Sequence, residues 1–161
     1  MRTLVLNFKT MNPAIDRLKE PRTYLLKLIS ELTTEQLNKV PEGYNNNIIW
    51  NLGHMVAAQQ GICYKRAGLD MIIEEDFFET YKPGSKPERF VGDDEIAIIK
   101  ERLITSLDRF EADIDNGVFV NYTPVMTRYG VELTNIDNAT AFLPFHDGFH
   151  MGYVLALKRA V

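Results

Sequence analysis

The chain contains three histidines, His54, His146 and His150. The last two lie four residues apart in Phe145-His146-Asp147-Gly148-Phe149-His150. On a helix this spacing puts both on one face, with Cβ atoms about 5–6 Å apart. Metal–nitrogen bonds of about 2.0–2.1 Å then let both rings reach one ion. The face is apolar: Phe142, Phe145, His146, Phe149, His150, Tyr153, Val154 and Leu157 form one stripe. Both imidazoles are therefore expected to point inward, where an unpaired ring is costly. His54 is the third candidate, in another helical segment on a strip with Trp50, Ala57, Ala58 and Gly61. Three imidazoles with an open fourth position describe a catalytic divalent-metal site rather than a closed structural one. Such an ion acts as a Lewis acid or lowers the pKa of a bound group. The competing reading is a non-catalytic bundle that dimerises or binds a small ligand, its histidines packed in the core or holding a structural ion.

Other reactive residues fit less well. Cys63 lies nine positions after His54, about 13 Å along a helix axis, and reads as a packing thiol rather than a ligand. Trp50, one turn before His54, reads as core or pocket wall, and Met55 and Met151 as packing. Asp147, three before His150, either orients a ring or stands in solvent. Glu74-Glu75-Asp76 reads as a solvated loop. Tyr44, Arg89, Tyr122, Arg128 and Tyr129 fall in segments that could cross a bundle mouth and grip an anionic substrate.

Four long helical segments must position these residues. The first spans about Pro13 to Leu32, with Asn12 as N-cap and Pro13 at the favoured first position. Ile15, Leu18, Leu25, Leu28, Ile29 and Leu32 give its apolar face; Pro21 inside it predicts a kink or break. Thr33 with Gln36 offers a capping box for a short turn. The second long helix follows Asn45-Asn46-Asn47 and runs to about Ala67, closed by Gly68. A long crossover, about Leu69 to Gly92, holds at most a short helix. The third starts near Asp93 or Asp94 and stops at Asn116-Gly117. Residues 118–134 read as an extended loop with room for a short hairpin. The last helix starts between Asn135 and Thr140, and Pro144 within it implies a kink or a later start. The fold expected is all-α: a four-helix bundle with a long crossover loop and an extended loop before the last helix. Residues 1–11 form an N-terminal strand-like arm, and 12–161 the metal-binding domain.

Composition bounds the partners. The chain has 161 residues, enough for one domain. With 18 basic and 22 acidic residues it lacks the basic excess of a general nucleic-acid binder. A single cysteine excludes a disulfide framework and a Cys-rich zinc site and suits a reducing cytoplasm. No apolar run is long enough to span a bilayer, and that in Leu4-Val5-Leu6 is too short for a signal-peptide core. The expectation is a cytoplasmic protein with a small-molecule substrate and neither a nucleic-acid nor a membrane partner.

Trp50-Asn51-Leu52-Gly53-His54 resembles the W-x-x-x-H helix of DinB/YfiT-like proteins, and His146-Asp147-Gly148-Phe149-His150-Met151-Gly152 is similar to that family's H-x-x-x-H-x-G signature. Tyr81-Lys82-Pro83-Gly84-Ser85-Lys86-Pro87 is similar to its crossover loop, and the likeness runs from about Asn12 onward, leaving residues 1–11 outside. The resemblance implies a bundle with a divalent metal, commonly zinc or nickel, on His54, His146 and His150, and a homodimer. Some members are S-transferases or isomerases using a low-molecular-weight thiol, and many have no known reaction. The family's name does not imply DNA polymerisation or repair. Where many members carry Glu after the first histidine of the pair, this chain has Asp147, which shortens any acid–base reach. The segment also resembles the H-E-x-x-H of zinc metallopeptidases, which needs that Glu as general base and whose usual third ligands lie downstream. Only eleven residues follow His150 here, none of them His, Asp or Glu.

Overall fold

The computed structural model describes residues 12–161; the expected N-terminal arm, 1–11, lies outside them. Six α-helices follow in order: α1 Pro13–Leu28, α2 Thr34–Asn38, α3 Ile48–Gln59, α4 Glu75–Tyr81, α5 Asp93–Asp115 and α6 Ile136–Lys158. Helix α3 continues into a π-helical segment, Gln60–Lys65. Strands β1 Val125–Met126 and β2 Glu132–Leu133 pair antiparallel before α6. The mostly helical architecture is the all-α bundle expected, and no helix among the described residues is long and apolar enough to cross a membrane.

Four helices build the bundle. Helix α3 packs on α5 and α6, and α1 packs on the same two, so α1 and α3 are diagonal. Hydrogen bonds fix the directions. Gln59 bonds Ser106 and Tyr64 bonds Asp113, so α3 and its π extension run parallel to α5. His150 meets Asn51, while Asp147 and the Met55 carbonyl share the Arg22 guanidinium; α6 therefore runs antiparallel to α3. Parallel neighbours cannot be joined by a tight turn, because the chain must return along the helix before starting again. That requirement explains the crossover between α3 and α5, which carries α4 midway.

Local chemistry sets the boundaries. The Asn12 side chain accepts from Ala14 N with Pro13 at the first position, and Thr33 and Gln36 form the reciprocal capping box. Asn47 and Asn135 cap α3 and α6. Gly68, at φ +70°, closes the second long helix in the left-handed region.

Four expectations are corrected or narrowed. Of the alternatives read at Pro21 and Pro144, the break and the later start are excluded: both prolines lie inside continuous helices, where packing on two neighbours outweighs one missing N–H bond. Helix α1 ends at Leu28 rather than Leu32. Glu75 and Asp76 belong to the first turn of α4, where acids oppose the helix dipole favourably. The inward stripe of α6 is rotated from the one predicted: Thr140, Leu143 and Asp147 are buried, whereas Phe145 and Phe149 are about half exposed.

The interior divides into two apolar clusters. One gathers Leu25, Ile49, Leu52, Val56, Ile99 and Leu103; the other gathers Ile15, Leu18, Cys63, Leu107, Phe110 and Leu143. Between them lies a buried polar layer of Arg22, Gln59, Ser106 and Asp147.

Candidate metal centre

Helix α3 starts by satisfying its own amides. The Asn47 side chain accepts from Trp50 N at 2.8 Å, and the Asn47 carbonyl accepts from the Asn51 side-chain Nδ2 at 2.7 Å. A carbonyl can only accept, so the amide nitrogen of Asn51 must face it. The Asn51 Oδ1 is thereby turned to His150 Nδ1, 2.8 Å away. That oxygen also only accepts, so His150 Nδ1 carries the hydrogen and the lone pair sits on Nε2.

His54 is fixed by the same logic. Its Nδ1 lies 2.7 Å from the carbonyl oxygen of Tyr81, at the last residue of α4, where helical carbonyls lack intrahelical partners. Nδ1–H therefore donates, and Nε2 holds the lone pair. The Trp50 ring stacks on the His54 imidazole with centroids 4.7 Å apart and planes 12° from parallel. Gly53 lets α4 come this close: a Cβ there would stand 2.6 Å from the Tyr81 ring.

His146 differs. Its Nδ1 is buried without a hydrogen-bond partner among the described residues. The Asp147 Oδ1 stands 3.6 Å away, too far for a hydrogen bond but close enough for its charge to act. Asp147 is itself held by Arg22, whose Nε donates to Oδ2 at 2.7 Å. The Arg22 side chain is fully buried and also donates to Leu103 O, Gln59 Oε1 and Met55 O.

One potential ligand atom from each of the three imidazoles lies within 4.8 Å of the others, and all three residues are buried. Tetrahedral donors around zinc sit ~3.4 Å apart for bonds of 2.0–2.1 Å, so a small side-chain adjustment closes the set. No Nε2 has a hydrogen-bond partner among the described residues. The Nε2 lone pairs of His54 and His150 are left free for a cation, and three imidazoles are an ordinary zinc or nickel donor set. Burial pulls the pKa of His54 down to about 4 and that of His150 to about 3, with the charge of His146 next among the causes that lower both. Both rings are thus neutral at neutral pH, the form that ligation requires. Burial alone would raise the Asp147 carboxyl, but the Arg22 guanidinium and His146 hold it below the usual range, so it stays an anion.

The histidines open on a cavity of about 930 Å³. Trp50, Ile62, Phe78, Phe142 and Phe149 supply apolar wall, and Asn51 and Ser85 supply polar groups. The proximity of Arg128 also helps to lower both His54 and His150.

The three predicted ligands are therefore brought together. Of the loop residues considered for anion binding, Arg128 and Tyr129 line the cavity. Tyr44 packs edge-on against Tyr153, Arg89 pairs with Glu95, and the Tyr122 hydroxyl donates to Ile62 O. Cys63 is buried in the second apolar cluster, and burial pushes its thiol far up. Sequence reading missed Arg22, Asn51, Gln59 and the Tyr81 carbonyl. Arg22 had a signal: Ile15, Leu18, Leu25 and Ile29 step by three, seven and four, and position 22 fills the gap on the buried face.

A search of curated proteins finds no match to this chain. The family model described as the DinB superfamily matches residues 17–154, a span that includes all three histidines, Asn51, Tyr81, Arg22 and Asp147. The chain belongs to the DinB superfamily.

Proposed function

We propose that this DinB-superfamily chain is a divalent-metal-dependent enzyme, with His54, His146 and His150 holding zinc or nickel through Nε2. The observation that carries the reading is the convergence of three imidazoles, two of them with the tautomer fixed from behind by acceptor-only oxygens. A divalent ion there would supply Lewis acidity and ease the deprotonation of a thiol or a water.

The rest is done by the chain's own groups. Asn51 and the Tyr81 carbonyl hold two rings in orientation, and Trp50 covers one face of His54. The aromatic wall excludes water around a substrate. Asp147 is spent on Arg22 inside the bundle, so it is not placed to serve as the general base of a metallopeptidase. No Asp or Glu lines the cavity among the described residues. Thiol transfer therefore fits better than hydrolysis. A low-molecular-weight thiol would give up its proton to solvent water and attack an electrophilic carbon, forming a C–S bond as the leaving group departs with its electron pair.

Protein made without a His-tag, stripped with chelator and reloaded, should retain about one equivalent of zinc or nickel. His54→Ala, His146→Ala and His150→Ala should each lose it. Metal content near zero after reloading would overturn the reading. With chlorodinitrobenzene and glutathione as probes, the loaded protein should conjugate the thiol, and the histidine variants should not.

A further inference from the structure

The molecule is acidic overall, with a net charge of −4, yet its cavity reverses that balance. Lys65, Arg66, Lys86 and Arg128 line it, and no acid does among the described residues. Lys65 is partly engaged: it lies 3.8 Å from Glu75 and 4.5 Å from the Phe78 ring centroid. The side chains of Arg66, Lys86 and Arg128 make no hydrogen bond or ion pair among the described residues. They come from three separate places: the end of the second long helix, the crossover loop, and the loop between β1 and β2. Three uncommitted cations converging on one aromatic-walled cavity leave its potential positive, and a guanidinium fork matches an oxyanion in two-point geometry.

We propose that this cavity takes an organic anion, with its carboxylate, sulfonate or phosphate on Arg66, Lys86 and Arg128 and its apolar body against Trp50, Phe142 and Phe149. The inference rests on reading the cavity as the substrate site of the histidine centre. It names the class of molecule that such a centre would act on. Aromatic and aliphatic anions qualify; cations are repelled by the rim, and neutral molecules forgo the attraction that it offers.

The test compares two dyes of nearly the same shape, anilinonaphthalene sulfonate and the uncharged phenylnaphthylamine, on chelator-stripped and zinc-loaded protein. The sulfonate should bind at least about tenfold more tightly than the neutral dye. The triple variant Arg66→Gln/Lys86→Gln/Arg128→Gln should erase that preference while leaving the neutral dye's Kd unchanged, which shows the apolar wall intact. Equal affinity for the two dyes, or a preference that survives the triple variant, overturns the inference. Zinc content is measured on the same samples. A charge preference without zinc binding sinks the metal reading alone; zinc binding without a charge preference sinks the anion inference alone.

Discussion

A histidine offers an ion one lone pair, and the atom behind the ring decides which nitrogen carries it. Asn51 does this for His150 because the Asn47 carbonyl has already claimed its amide nitrogen. Asn51→Leu keeps the volume of the side chain and deletes the acceptor. We expect zinc affinity to fall about 10–100-fold with the helical circular-dichroism signal unchanged, measured by competition with a chromogenic chelator. An unchanged affinity would mean that the acceptor behind the ring contributes nothing. The ligand candidates were legible in the sequence because histidine is rare here and the spacing of 146 and 150 is specific. Their supports were not. The partner of His54 is a main-chain oxygen 27 residues away, and a carbonyl has no residue type to betray it. Asp147 left two readings open because one helical position can face core or solvent depending on a rotation that the pattern of Phe145 and Phe149 misstated.

Helices α1 and α6 meet at Arg22 and Asp147, an ion pair buried on both sides. Taking one partner away leaves an uncompensated charge in the core. Arg22→Met should therefore destabilise the fold by about 3–5 kcal/mol in urea unfolding. Arg22→Met with Asp147→Leu should recover most of that loss, because an apolar pair of similar bulk replaces both charges. If the double variant is as unstable as the single one, the remaining bonds of Arg22 to Leu103 O, Gln59 and Met55 O outweigh its pairing with Asp147. The helices themselves were legible from caps and apolar spacing, to within a turn at most ends. The prolines left a break or a later start open because local propensity was weighed without the two neighbours that each long helix packs against. The π segment at Gln60–Lys65 was also invisible, since its residues are compatible with an ordinary helix and only its pairing differs.

Across the whole molecule, separate elements are tied by phenols that donate to acceptors on other parts of the chain. Tyr64 joins the π segment to Asp113 of α5 at 2.8 Å, and Tyr122 joins the loop after α5 to Ile62 O at 3.0 Å. A phenolate cannot donate, so deprotonation removes each tie and leaves two oxygens facing each other. Burial raises both phenols, and pushes Tyr122 up to about 12, against about 10 in the unfolded chain. A folded-state pKa above the unfolded one favours the protonated fold. The stability that Tyr122 contributes is therefore complete below pH about 10 and is lost as pH climbs toward about 12. The difference in Tm between the native chain and Tyr122→Phe should be constant near neutral pH and shrink across that window. The phenolate absorbance of Tyr122, taken as the difference between the two proteins, should appear together with loss of helical signal. A Tm gap that stays constant through the window, or a Tyr122 phenolate that forms while the helices persist, would show that this tie does not couple the bundle to its loop.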